Sequence, residues 1–132
     1  GKLGMSLQSV RDWMGDRPPA PATVSLTATF AEVVSAITEG RKGAVAVLDA
    51  DGRLAGIVTD GDVRRAFSRD LKGLTAADVM SPSPKVIAPD ARMSDAVDLM
   101  TQNRIATLLV VEDRRPVAIV HIAELMQAGY VS

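Results

Sequence analysis

The densest chemistry in the chain lies in Gly56-Ile-Val-Thr-Asp-Gly-Asp62, where a hydroxyl and two carboxylates follow directly on an apolar run. A Thr three residues ahead of an Asp can serve in two ways. As a helix cap, Thr59 accepts the backbone N–H of residue 62 while the Asp62 side chain reaches back to residue 59, an acidic variant of the capping box. Asp60 and Asp62 then also complement the positive end of the helix dipole. As a grip, the carboxylate accepts two hydrogen bonds from vicinal hydroxyls of a ligand. The opening turn offers free N–H groups to an anion, and Gly61 admits a close approach to the backbone. Thr29-x-x-Glu32 has the same spacing with nothing around it that suggests a ligand, so spacing alone reads as a cap. Capping and binding are compatible.

Other reactive groups are few. The single His, His121, follows an apolar run; it is either a satisfied cap or a donor to a carboxylate or phosphate, and no second His supports a metal site. The chain has no Cys, which excludes disulfides, thiolate zinc sites and cysteine nucleophiles and fits a reducing cytoplasm. Basic residues come in pairs, Arg41-Lys42, Arg64-Arg65 and Arg114-Arg115, with Arg104 at a position matching Arg41. Each suits a helix end or a surface, and each is also a possible contact for a small anion. The six Met residues, Met5 among them, read as packing.

Composition narrows the partners. Aromatic residues make up only 3% of a chain that is 47% hydrophobic, so the core is aliphatic and stacking on nucleic-acid bases is a poor explanation for function. A net charge of −1 with interspersed signs argues against a polyanion or an anionic membrane as main partner. No apolar stretch approaches the length of a membrane span and no signal-peptide pattern opens the chain, which reads as soluble and cytoplasmic.

The elements that must position these residues occur twice. Phe30, Val33, Val34 and Ile37 have helical spacing, and Met93, Ala96, Val97 and Met100 repeat it 63 positions on. Each helix leads to a short β-branched run (Ala44–Leu48; Thr107–Val111), a polar turn, and a second run (Leu54–Val58; Val117–Val120). Continuous apolar character predicts strands covered on both faces, paired as hairpins. A short strand precedes each unit (Thr23–Leu26; Lys85–Ile87) and a helix closes it (Val63–Phe67; Leu125–Ala128). Ser81-Pro-Ser-Pro84 reads as a rigid, non-helical joint. About 60 residues make a marginal unit alone, so the sheets of the two β-α-β-β-α repeats are expected to pack against each other. The class is α/β (α+β) with pseudo-two-fold symmetry, and function is expected in the crevice between repeats.

This pattern, with Asp12-Trp-Met14 and Asp78-Val-Met80 each ahead of a repeat, resembles a tandem pair of CBS domains, the Bateman module. On that resemblance residues 15–73 form repeat 1, 74–84 a linker and 85–132 repeat 2. Gly1-Lys-Leu-Gly4, Leu7, Val10–Met14, Thr59–Arg65, His121 and Ala128–Val131 are further similar to the C-terminal region of arabinose-5-phosphate isomerases of the KpsF/GutQ type, with residues 1–14 matching the junction after a sugar isomerase domain. Isomerisation needs a positioned base and a sugar-phosphate site, and neither is apparent, so no turnover is expected of these residues by themselves. The resemblance puts Thr59 and Asp62 on the ribose of a nucleotide, with Ile57 and Gly61 beside them. It also implies that Arg41, Lys42, Arg65, Arg104 and His121 can border the cleft. The second repeat carries Ile119-Val-His-Ile-Ala-Glu124 instead, so one competent pocket is expected. The implied ligand is an adenine nucleotide or, by the narrower resemblance, CMP-Kdo from lipopolysaccharide biosynthesis, with no cofactor required. The implied assembly is a homodimer through CBS pairs within a tetrameric parent. The competing readings are an oligomerisation module with a vestigial pocket, and a Bateman module of another parent.

Overall fold

A computed structural model describes residues 7–131 of the chain; the Gly1–Gly4 pattern and Met5 lie outside the described residues. Thirteen elements follow in order: α1 (Val10–Met14), β1 (Thr23–Ser25), α2 (Phe30–Gly40), β2 (Ala44–Leu48), β3 (Leu54–Thr59), α3 (Asp60–Ala66), α4 (Ala76–Val79), β4 (Ser81–Pro82), β5 (Val86–Ile87), α5 (Met93–Asn103), β6 (Thr107–Glu112), β7 (Arg115–His121) and α6 (Ile122–Gln127). They form two sheets, ordered β1-β2-β3-β4 and β5-β6-β7. In each, the first strand runs parallel to the second and the hairpin pairs antiparallel. Both hairpins slip register at the matching place, between Val47 and Leu48 and between Val110 and Val111, so even the irregularity repeats.

Three apolar clusters explain why the central strands are apolar on both faces. Val45, Val47 and Val58 pack against Val33 and Ile37 of α2, while Leu108, Val110 and Val120 pack against Met93, Ala96 and Met100 of α5. The alternate side chains, Ala44, Ala46 and Ile57 with Leu109 and Ile119, form a third cluster between the two sheets. Period-two alternation thus divides each strand between its own helix and the other repeat. The sheets face each other as the repeat pattern predicted.

The linking segments hold more structure than a joint. Ser81 and Pro82, expected as non-helical, are indeed so, but they add a fourth strand to the first sheet, pairing with Ile57 and Gly56. Proline is tolerated there because β4 is an edge, where a missing N–H breaks no central ladder. Gly56 is required by the same contact: a Cβ on it would stand 2.6 Å from Met80 Sδ and 2.9 Å from the Ser81 carbonyl oxygen.

The two Asp-x-Met elements are exchanged relative to the repeats that they precede in sequence. α1 packs its Val10 into the second repeat's core, with Val10 N donating to the Ala91 carbonyl and Arg11 N to that of Pro89. Arg11 adds ion pairs to Asp90 and Glu112. α4 packs Ala76 and Val79 into the first repeat's core, with Ala76 N donating to the Ala28 carbonyl and Ala77 N to that of Leu26. The chain segment before repeat 1 therefore completes repeat 2, and the segment between the repeats completes repeat 1.

Candidate ligand-binding clefts

Thr59 ends β3 and caps α3, and its box with Asp62 is formed in full. Thr59 N and Oγ1 donate to Asp62 Oδ2 at 2.9 and 3.1 Å, and Asp62 N donates to Thr59 Oγ1 at 3.3 Å. The other carboxylate oxygen is also engaged: Oδ1 accepts Arg65 Nη2 at 2.6 Å and Ser81 Oγ at 3.0 Å. Asp62 is only 6% exposed, so burial of its charge is offset by four hydrogen bonds. Thr75 and Asp78 at the start of α4 show the same pairing, at 2.9 and 3.0 Å. The Thr-x-x-Asp spacing is therefore first a capping device in this chain. What separates Asp62 from Asp78 is its surroundings.

Those surroundings are a cleft of about 650 Å³ between the repeats. One wall carries Thr59, Gly61, Asp62 and Arg65 from the start of α3. The other carries Arg104 and Ala106 from the turn between α5 and β6, with His121 at the end of β7. Lys85 and the Ser81–Pro84 segment form a third side, and Ile57 reaches it from the shared core. Gly61 leaves the space that the Arg65 guanidinium occupies, since a Cβ there would lie 3.3 Å from Nη1.

The charge balance in this cleft is positive. Arg64, Arg65, Lys85 and Arg104 face only two carboxylates, Asp60 and Asp62. Among the described residues the one ion pair here is Arg65 with Asp62, which leaves Arg64, Lys85 and Arg104 without carboxylate partners. Arg104 is held in place by the backbone: it is the C-cap of α5 in the left-handed region, φ +53°, and its N–H donates back to Thr101 and Met100 carbonyls.

The pseudo-two-fold axis builds a second cleft, about 550 Å³, on the opposite side. Here Glu124 stands where Asp62 stands in the first, and Lys42 pairs with it at 2.6 Å. Trp13, Met14 and the Pro18–Ala22 segment line the rest. The one cation lining this cleft is neutralised.

Of the nine residues singled out in the sequence, seven (Ile57, Thr59, Gly61, Asp62, Arg65, Arg104 and His121) come together in the cationic cleft. Two do not. Lys42 lines the other cleft and Arg41 lines neither, exposed as the left-handed C-cap of α2. The reason is the axis itself, which sets each repeat's helix end against the other repeat's motif. Sequence reasoning missed Ser81 because it sits in what reads as a joint, and Lys85 because it reads as the first residue of a short strand. The Ser81 hydroxyl meets Asp62 across 19 positions, a separation that carries no local signal.

Comparison with known proteins agrees with this architecture. Residues 10–69 and 76–130 each match the CBS domain family model. The chain is 42% identical, over 83% of its length, to arabinose 5-phosphate isomerase KpsF of Escherichia coli. It is 39% identical over 89% of its length to a probable arabinose 5-phosphate isomerase of Haemophilus influenzae. It spans about a third of the length of these relatives, 34% and 35%. Among solved structures, CBSX2 in complex with AMP superimposes with a TM-score of 0.78 at 23% identity, covering 93% of this chain and 96% of that one.

Proposed function

The chain belongs to the CBS domain family as a tandem pair, related in sequence to the CBS region of arabinose 5-phosphate isomerases, and from that premise we propose that it senses an anionic ligand in its cationic cleft. The observation that carries this reading is the contrast between the two clefts. One leaves three cations without carboxylate partners among the described residues, and the other closes its single cation in an ion pair. Partly enclosed walls reduce solvent screening, so such an excess attracts an anion more strongly than the same charges would on open surface.

The ligand is a nucleotide or nucleotide sugar such as CMP-Kdo. Its phosphate lies near Arg104 and Lys85, and its ribose displaces Arg65 from Asp62 Oδ1. The Arg65 side chain, 72% exposed, is free to turn to the ligand at that moment. The longer protein is an arabinose-5-phosphate isomerase of lipopolysaccharide biosynthesis, acting in the cytoplasm and assembled through paired CBS modules. Regulation follows because a ligand that binds two repeat arrangements unequally shifts their populations.

A second reading is favoured by one observation, the fully engaged Asp62 carboxylate: a cleft whose acid is already satisfied belongs to an assembly module with a vestigial pocket. Calorimetric titration with CMP-Kdo, CMP, AMP, ATP and S-adenosylmethionine separates the two. Binding that weakens tenfold or more in Arg104→Ala supports the sensor, and failure of every ligand to bind supports the assembly module.

A further inference from the structure

His121 faces the cationic cleft, yet its pose is governed from the neutral one. Its Nδ1 accepts the Ala123 backbone N–H at 3.0 Å, so the neutral ring carries its proton on Nε2. That edge of the ring lies near Gly43 on the cleft wall: a Cβ built on Gly43 would stand 3.7 Å from His121 Cδ2 and 3.8 Å from Nε2. Among the described residues nothing accepts from Nε2. The cleft thus holds one neutral donor of fixed direction amid flexible cations.

The backbone that aims this ring is held by Glu124. Its Oε1 accepts His121 N at 3.0 Å and, on the same oxygen, Lys42 Nζ at 2.6 Å. Lys42 lines the neutral cleft while the next residue, Gly43, lines the cationic one. The crossing Lys42-Gly43 over His121-Glu124 therefore joins the two clefts through a single carboxylate oxygen.

We propose that His121 contacts the bound anion as a donor only, through Nε2–H to a ligand oxygen, and that Lys42 is its positioning residue, acting from the opposite cleft through Glu124. The donor role rests on the ligand reading given above; the positioning role stands on the free chain. The consequence is coupling. Anything that competes for Lys42 or Glu124 in the neutral cleft loosens the His121 donor in the cationic one, and by linkage an anion held by His121 tightens the ion pair.

Because His121 is the only histidine, its ring nitrogens can be read without assignment by long-range ¹H–¹⁵N correlation in the 132-residue chain. The wild type is expected to hold the Nε2–H tautomer, Lys42→Ala to give a mixture of tautomers, and Lys42→Arg to restore the single form. CMP and inorganic phosphate are then titrated by calorimetry into the wild type, Lys42→Ala and Glu124→Ala, with folding checked by circular dichroism. The two substitutions change the charge in opposite directions. A purely electrostatic role predicts weaker anion binding for the first and tighter binding for the second, whereas positioning predicts weakening of severalfold in both. A proton on Nδ1 in the wild type, an unchanged tautomer in Lys42→Ala, or tighter binding in Glu124→Ala overturns the proposal. A wild type with the Nε2–H tautomer that binds neither probe overturns the donor role and the ligand reading, and leaves the positioning role supported.

Discussion

Arg104 and Arg41 allow function to be separated from stability at the level of single residues. Both are left-handed C-caps, φ +53° and +58°, and a non-glycine residue there carries a backbone cost that Gly avoids. Only Arg104 lines the cationic cleft. Replacing either by Gly is expected to stabilise the chain by roughly 1 kcal/mol, read as a higher urea midpoint. Arg104→Gly should weaken CMP binding about tenfold while Arg41→Gly leaves it unchanged. Asp62→Ala behaves differently, since it removes a cap and leaves Ser81 and Arg65 without their acceptor. It should cost about 1–3 kcal/mol in stability as well as binding.

At the scale of elements, capping boxes start most of the helices, and two of them make acid stability predictable. Backbone N–H donation from Thr29 holds the Glu32 carboxyl below its ordinary range, and donation from Thr75 does the same for Asp78. A folded pKa below the unfolded one contributes stability that is present above the unfolded value and is lost as pH falls through the folded value. Urea midpoints measured from neutral pH down through the carboxylate range should therefore fall, and fall less in Glu32→Gln and Asp78→Asn, which begin lower. The β4 edge offers a second check. Gly56→Ala forces Met80 and the Ser81 carbonyl away from β3, so it should cost about 1–3 kcal/mol and loosen Ser81 from Asp62. Faster amide exchange at Ile57, confined to the side that faces β4, would report that loosening.

The whole molecule is a pair that shares its core and exchanges its first helices. Ala44, Ala46 and Ile57 of the first repeat share one cluster with Leu109 and Ile119 of the second, while α1, which precedes the first repeat, completes the second, and α4, which lies between the repeats, completes the first. Cooperative loss of both repeats follows. Ile119→Ala is expected to destabilise by about 2–5 kcal/mol and to leave a single calorimetric transition rather than two. Separate transitions for the repeats would overturn the shared-core account. No helix among the described residues is long and apolar enough to cross a membrane.

Local physics determined much of this in advance. Helical spacing in Phe30–Ile37 and its echo at Met93–Met100, the continuous apolar runs of the central strands, and the Thr59–Asp62 box all arise from residues within a few positions of each other, and the structure realises each of them. Long-range arrangement decided the rest. The strand at Ser81–Pro82, the exchange of α1 and α4, the Ser81 bond to Asp62 and the assignment of Lys42 and Arg104 to opposite clefts all join residues far apart in the chain. The sequence by itself determined two like units with apolar faces that required mutual burial. Which charges then met, and so which cleft kept its cations, was settled only when the pseudo-two-fold packing set each helix end against the other repeat's motif.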